Sequence, residues 1–232
     1  MAYSGFAFGN ATPNLYNGNI RHTVTSIDTM HTFGAAYNYD QLQRLKKMTA
    51  YKYTGTGNSW SGVSSTTDYF NDYVYDANGN ITNLRRNATS SIGLQMDNFT
   101  YNYTTIGGEL SNRLDYVSDV ALNDGVGGDI LSGMSAGNYV YDKIGQLVSD
   151  GSEGIDSLQW RYGDKKLKRI VRDDASSSEL EFVYNPFGQR VLKIERPRSG
   201  GSIANIDGSD WEYTYYAYDA NGQVLGVYGF DG

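Results

Sequence analysis

The chain has 232 residues and a mass of 25.7 kDa, room for one domain or two small ones. Lys and Arg number 19 against 26 Asp and Glu, and the net charge of −7 argues against a nucleic-acid binder, which must neutralise phosphates. Cysteine is absent, which excludes disulfide scaffolds, Cys-based zinc sites, thiol nucleophiles and redox motifs together.

Aromatic residues make up 14% of the chain, a richness that does not fit a disordered segment. No apolar run reaches the roughly 18 residues of a membrane span. The opening MAYSGFAFGN lacks a basic stretch followed by an apolar core, so no signal peptide is legible. Residues 1–36 read as a lead-in that holds both histidines, His22 and His31. Neither stands in a metal-ligand spacing or a nucleophile pattern, so both read as loop or strand-surface residues.

From Tyr37 onward one pattern recurs: a Tyr-x-Tyr-Asp strand end, a short polar turn, then an aliphatic residue opening a return strand. It first reads YNYDQLQRL, with Tyr37, Tyr39 and Asp40. The Gly/Ser-rich stretch 54–67 reads as a loop, and its GTGNSW completes no phosphate-binding fingerprint. The next copy, YVYDANGNI, supplies Tyr73, Tyr75, Asp76 and Gly79. Its first residues superficially match a calcium loop, but Ile81 and Asn87 stand where Gly and Glu are needed. YNYTTIGGEL, from Tyr101, is a degenerate copy.

A second glycine-rich loop, 123–138, leads to YVYDKIGQL, with Tyr139, Tyr141, Asp142 and Gly145. LQWRYGDKKLKRI fills the interval before FVYNPFGQRV, where Asn185 replaces Asp while Tyr184 and Gly188 keep the pattern. The basic run 165–172 interleaves with Leu167, Ile170 and Val171, and Asp173-Asp174 follows, so it reads as a solvated strand face. The final copy, YAYDANGQV, carries Tyr216, Tyr218, Asp219 and Gly222.

Each copy predicts a β-hairpin. Tyr73 and Tyr75 alternate with Val74 at period two and so share one face. Asn78-Gly79 and Asn221-Gly222 supply the positive-φ positions that tight turns need, and Asp76 and Asp219 are placed to accept turn N–H groups. The clearest hairpin runs from Glu179 to Arg196. Leu180, Phe182 and Tyr184 share one face, Leu192 and Ile194 share one face of the return strand, and Glu181, Lys193 and Glu195 go to the opposite faces. Helical periodicity is nowhere sustained. The expected fold is all-β, tandem antiparallel hairpins in a curved sheet, forming one domain over 1–232 with the hairpins spanning 37–228.

These residues resemble the RHS/YD-repeat family, whose hallmark reads roughly YxYDxxGRL. YNYDQLQRL keeps Arg44 and Leu45, and YVYDANGNI, YVYDKIGQL and YAYDANGQV keep Tyr-Asp and Gly but lose the Arg. LYNGNI, Leu15 to Ile20, is similar to a segment that precedes such repeats in bacterial members, so the resemblance runs from about Leu15 to Tyr228. It implies hairpins that spiral into the wall of a hollow β-shell. Such shells enclose or present a C-terminal toxin in bacterial members and serve adhesion in animal ones, in secreted or cell-surface proteins. The self-cleaving Asp-Pro region of bacterial members has no counterpart, because the chain has no Asp-Pro pair.

The expected function is therefore a non-catalytic structural and interaction module, with no cofactor and no metal. Its expected partners are neighbouring repeats or a C-terminal domain of the same polypeptide, with neither nucleic acid nor membrane insertion. The alternative is a carbohydrate-binding module. Trp160 and Trp211 read as cross-strand packing, whereas Trp60, in a Gly/Ser loop, is the candidate for stacking on a sugar ring. A hydrolase would need two carboxylates facing each other across a cleft. An open spiral leaves edge strands unpaired, which predicts self-association.

Overall fold

The computed structural model describes residues 15–26, 32–53, 63–91, 95–120, 134–205 and 207–231. The chain forms two compact units, Met1–Gly133 and Met134–Gly232. In the first, seven strands form one sheet in chain order: β1 (His22–Thr25), β2 (Phe33–Tyr39), β3 (Leu45–Tyr53), β4 (Val63–Tyr75), β5 (Ile81–Asn87), β6 (Gln95–Ile106) and β7 (Glu109–Asp119). Every neighbouring pair is antiparallel.

The second unit is built the same way. Its eight-stranded sheet holds β8 (Tyr139–Tyr141), β9 (Leu147–Asp150), β10 (Ile155–Trp160), β11 (Leu167–Arg172), β12 (Glu179–Tyr184), β13 (Arg190–Arg196), β16 (Glu212–Tyr218) and β17 (Val224–Asp231). A small ribbon of β14 (Arg198–Ser199) and β15 (Ser202–Ile203) lies in the chain between β13 and β16. The fold is all-β, consecutive antiparallel hairpins, with no α-helix among the described residues and hence no helix that could cross a membrane.

Five hairpins turn on one device. The Oδ1 of Asp142 accepts the backbone N–H of Ile144 at 2.9 Å and of Gln146 at 2.8 Å. Asp40, Asn185 and Asp219 accept from the equivalent residues, and Asp76 accepts from Asn80 at 2.8 Å. The Gly79 N–H then donates to the Asp76 carbonyl and the Asp76 N–H to the Asn80 carbonyl. That is a type I turn followed by one left-handed residue. It corrects the expectation that Asn and Gly both take positive φ: Gly79 does, at 93°, and Gly222 does, at 86°, whereas Asn78 and Asn221 do not. The carbonyl that closes the turn fixes the Asn in the right-handed half. In the first hairpin Gln43 occupies the left-handed position, at φ 63°.

Two hairpins differ. β6 and β7 meet at Gly107-Gly108, both at positive φ, with Ile106 paired to Glu109, a two-residue mirror-image turn. The interval around Trp160 is itself a hairpin, with Arg161 where other copies have Asp. Its turn is one residue longer: the Arg161 N–H donates to the Lys166 carbonyl, and Lys165 takes φ 56°.

The Glu179–Arg196 register sets Phe182 opposite Lys193, Leu180 opposite Glu195, and Glu181 opposite Ile194. Leu192 and Ile194 therefore lie on the face away from Phe182, and both faces of this hairpin mix apolar with charged side chains. Among the described residues the buried apolar ones are few: Ala35, Ala36, Ala50, Tyr51, Leu84, Phe99 and Val117 in the first unit, Leu158 and Phe182 in the second. With so small a core, cohesion rests on strand ladders and on side chains that bridge strands.

Candidate functional site

The residues singled out by the repeat converge on the junctions between successive hairpins. In five copies the second aromatic reaches across the junction and donates to a backbone carbonyl of the preceding segment. Tyr39 donates to Ile20 at 2.9 Å, Tyr75 to Leu45 at 2.7 Å and Tyr103 to Ile81 at 2.8 Å. In the second unit Tyr184 donates to Leu167 at 2.9 Å and Tyr218 to Arg190 at 2.8 Å. Trp160 does the same with its indole N–H, to Leu147 at 2.7 Å. Burial pushes the Tyr75 hydroxyl above its ordinary value of 10.0, and the nearby Tyr73 adds to the effect, so it stays protonated as a donor must. Tyr73 and Tyr75 share a face as expected, their rings stacked with centroids 6.5 Å apart.

The turn residues add a second set of contacts. Arg44 holds Asp40 of its own turn at 2.6 Å, lies 4.5 Å from the centre of the Tyr75 ring, and its Nη1 donates to the Asp76 carbonyl of the next turn at 3.4 Å. Lys166 repeats this one unit on, lying 5.4 Å from the Tyr184 ring and donating to the Gly188 carbonyl. A Cβ on Gly188 would meet the Lys166 Nζ at 2.5 Å, and one on Gly222 would meet the Gln189 Nε2 at 2.7 Å. Both atoms are the far ends of flexible side chains, so what requires glycine here is the positive φ, 79° at Gly188 and 86° at Gly222. Gly145 holds the same turn position, at φ 90°.

Each unit also buries acidic side chains that the repeat did not reveal. Asp68, Asp97, Asp119, Asp150 and Glu179 are buried. Asp97, only 1% exposed, accepts from the Arg86 Nε at 2.5 Å, and Lys52 pairs with Asp68. Glu179 pairs with Arg169 and lies 3.7 Å from Arg198. Asp119 accepts the Asn98 N–H at 3.0 Å, and Asp150 accepts from Ser152 at 2.7 Å and Asn138 at 3.2 Å. The Lys52 ammonium holds Asp68 below the ordinary carboxylate value. Each of these carboxylates is occupied in holding neighbouring segments together. For Asp97 the sequence signal is a base placed opposite it on the adjoining strand, Arg86.

No group of three or more His, Asp or Glu among the described residues is placed to hold a metal ion. His22 stands exposed on β1. Trp60 and His31 lie outside the described residues. Trp211 packs beneath the Arg196 guanidinium, 4.5 Å from its ring centre, and beside Tyr213. Tyr139 is half-buried beside Asp150, and burial raises its hydroxyl above 10.0. No protein-family model matches the chain, and no curated protein matches it.

Proposed function

We propose that the chain is a non-catalytic scaffold, a segment of an RHS/YD-repeat wall that encloses or presents another domain at the cell surface or in a secreted protein. The observation that supports this most is the hairpin junction. The hydroxyls of Tyr75, Tyr103, Tyr184 and Tyr218, together with Arg44, hold one hairpin to the next, the Asx side chains close their own turns, and Asp68, Asp97 and Glu179 are committed to basic partners. The test is the native gene product, isolated whole, with its intact mass determined and limited proteolysis applied. A longer polypeptide with a protected C-terminal domain is the expected result. A product confined to these residues, with nothing protected by them, would overturn the reading.

A second reading, carbohydrate binding, is favoured by one feature. Between β11 and β12 the ladder holds only two pairs, Arg169–Glu181 and Ile170–Leu180. An open basin of about 560 Å³ lies there, lined by Trp160, Tyr162, Tyr184, Arg161, Lys168 and Glu181 among others. Tyr162 is 95% exposed at its rim. Flat aromatic faces beside charged hydrogen-bonding groups suit a sugar ring. A titration against a glycan panel should show binding that Tyr162→Ala weakens. Affinity unchanged by that substitution would remove this basin from consideration.

A further inference from the structure

We propose that Asn17–Gly18 is a self-modifying step, where the folded chain converts an asparagine to isoaspartate without an enzyme and so loosens the lead-in from β2. Asparagine followed by glycine is chemically labile, because glycine's missing Cβ leaves the next backbone nitrogen unhindered. That nitrogen attacks the side-chain Cγ, the Cγ–Nδ2 bond breaks, and ammonia leaves carrying the proton that the nitrogen gives up. Water then opens the cyclic imide at either carbonyl, giving aspartate or isoaspartate. One water is consumed and one ammonia released, with no oxidant, reductant or metal required.

The chain holds three such pairs in similar sequence, YNGN from Tyr16, ANGN from Ala77 and ANGQ from Ala220. Asn17, Asn78 and Asn221 are all exposed, so neither sequence nor exposure ranks them. Hydrogen bonding does. The Gly79 N–H donates to the Asp76 carbonyl at 3.2 Å, and the Gly222 N–H to the Asp219 carbonyl at 3.1 Å. Each of these nitrogens sits inside a closed turn, which must open before the nitrogen can reach the Asn side chain. The Gly18 N–H has no acceptor among the described residues. A Cβ built on Gly18 would meet nothing within 4 Å, whereas Arg44 flanks Gly79 and Gln189 flanks Gly222. The Asn17 Oδ1 accepts the Asn19 N–H at 3.1 Å, which lays the side chain along the Gly18 peptide and draws electron density from Cγ.

The place of this step gives it a consequence. Ile20, three residues on, accepts the Tyr39 hydroxyl at 2.9 Å, and the Arg21 carbonyl accepts the Tyr37 N–H at 2.8 Å. These two bonds hold the lead-in to β2. Isoaspartate routes the main chain through Cβ, which inserts one backbone atom and adds a carboxylate just before them.

The test ages the whole chain in mildly alkaline buffer, one sample folded and one in denaturant. Each is digested in mild acid, and every Asn-Gly peptide is followed by mass spectrometry as a gain of about 1 Da. In denaturant the three sites should convert at similar rates. In the folded chain Asn17 should lead Asn78 and Asn221 by about fivefold to tenfold, the effect of a hydrogen bond that must first break. The aged folded chain should exchange its Tyr37 amide faster than the fresh chain, and Asn17→Gln should remove that difference. Equal rates at the three sites in the folded chain, or a lead by Asn78 or Asn221, overturn the proposal. So does a Tyr37 amide whose exchange is unchanged once Asn17 has converted.

Discussion

The Tyr75 hydroxyl donates to the Leu45 carbonyl across 2.7 Å, tying residues thirty apart in sequence and in different hairpins. A tyrosine that looks from sequence like one more strand aromatic is therefore a fastener between repeats. Removing only the hydroxyl in Tyr75→Phe keeps the ring and leaves a carbonyl without its donor. The expected cost to the first unit is about 1 kcal/mol, read as a lower denaturant midpoint with unchanged slope. Tyr73→Phe is the control and should shift the midpoint by less than about 0.5 kcal/mol.

Trp160 tests the same rule with different chemistry. Its indole N–H reaches Leu147 at 2.7 Å, so donor capacity rather than ring identity should matter. Trp160→Phe should destabilise the second unit more than Trp160→Tyr, by about 1 kcal/mol. Equal losses in thermal unfolding would count against the fastener.

Gln43 sits at φ 63°, where the four other copies of this turn have glycine at 79° to 93°. Relief of the left-handed strain outweighs the extra freedom glycine gives the unfolded chain. Gln43→Gly should stabilise by about 0.5 to 1 kcal/mol, and Gly222→Ala should destabilise through its φ of 86°. Chemical denaturation of the two variants checks both signs.

Acid should loosen the first unit. Partial burial raises the Asp40 and Asp76 carboxyls, but N–H donation from Arg44 and Asn80 outweighs it, and Lys52 lowers Asp68, so all three titrate below 3.8 when folded. Groups with depressed folded values stabilise fully above the unfolded value of 3.8 and lose that contribution as pH falls through the folded values. The denaturant midpoint should be flat from about pH 7 to about pH 5 and fall below about pH 4, with a shallower fall in Asp76→Asn. A midpoint indifferent to acid would refute the assignment.

Arg86→Ala would leave Asp97 buried without its cation. A loss of about 3 kcal/mol is expected, larger than for any exposed pair, and Asp97→Asn in the same background should recover part of it. Equilibrium unfolding of the double-mutant cycle measures the coupling.

Strand ends and turns were legible because each is a local event: Asp142 and the N–H groups it accepts lie within four residues of each other. What joins the hairpins was not, because Tyr218 and Arg190 are separated by 28 positions whose number changes at every junction. The Trp160 hairpin was obscured by Arg161 in the Asp position and by a longer turn. The buried Asp97 left no trace in the repeat because its partner, Arg86, comes from the neighbouring strand rather than from the turn.

The strict next-neighbour order of the strands has a kinetic consequence. Only the join of β13 to β16 skips intervening strands, the short ribbon β14–β15. Loop closure is therefore inexpensive almost everywhere, and assembly can begin at any hairpin and spread in both directions like a zip. Loss of structure should run the other way, from the edges of each sheet inward, so that β1 and β7 of the first sheet and β8 and β17 of the second exchange amide hydrogens first and β4, held on both sides, exchanges late.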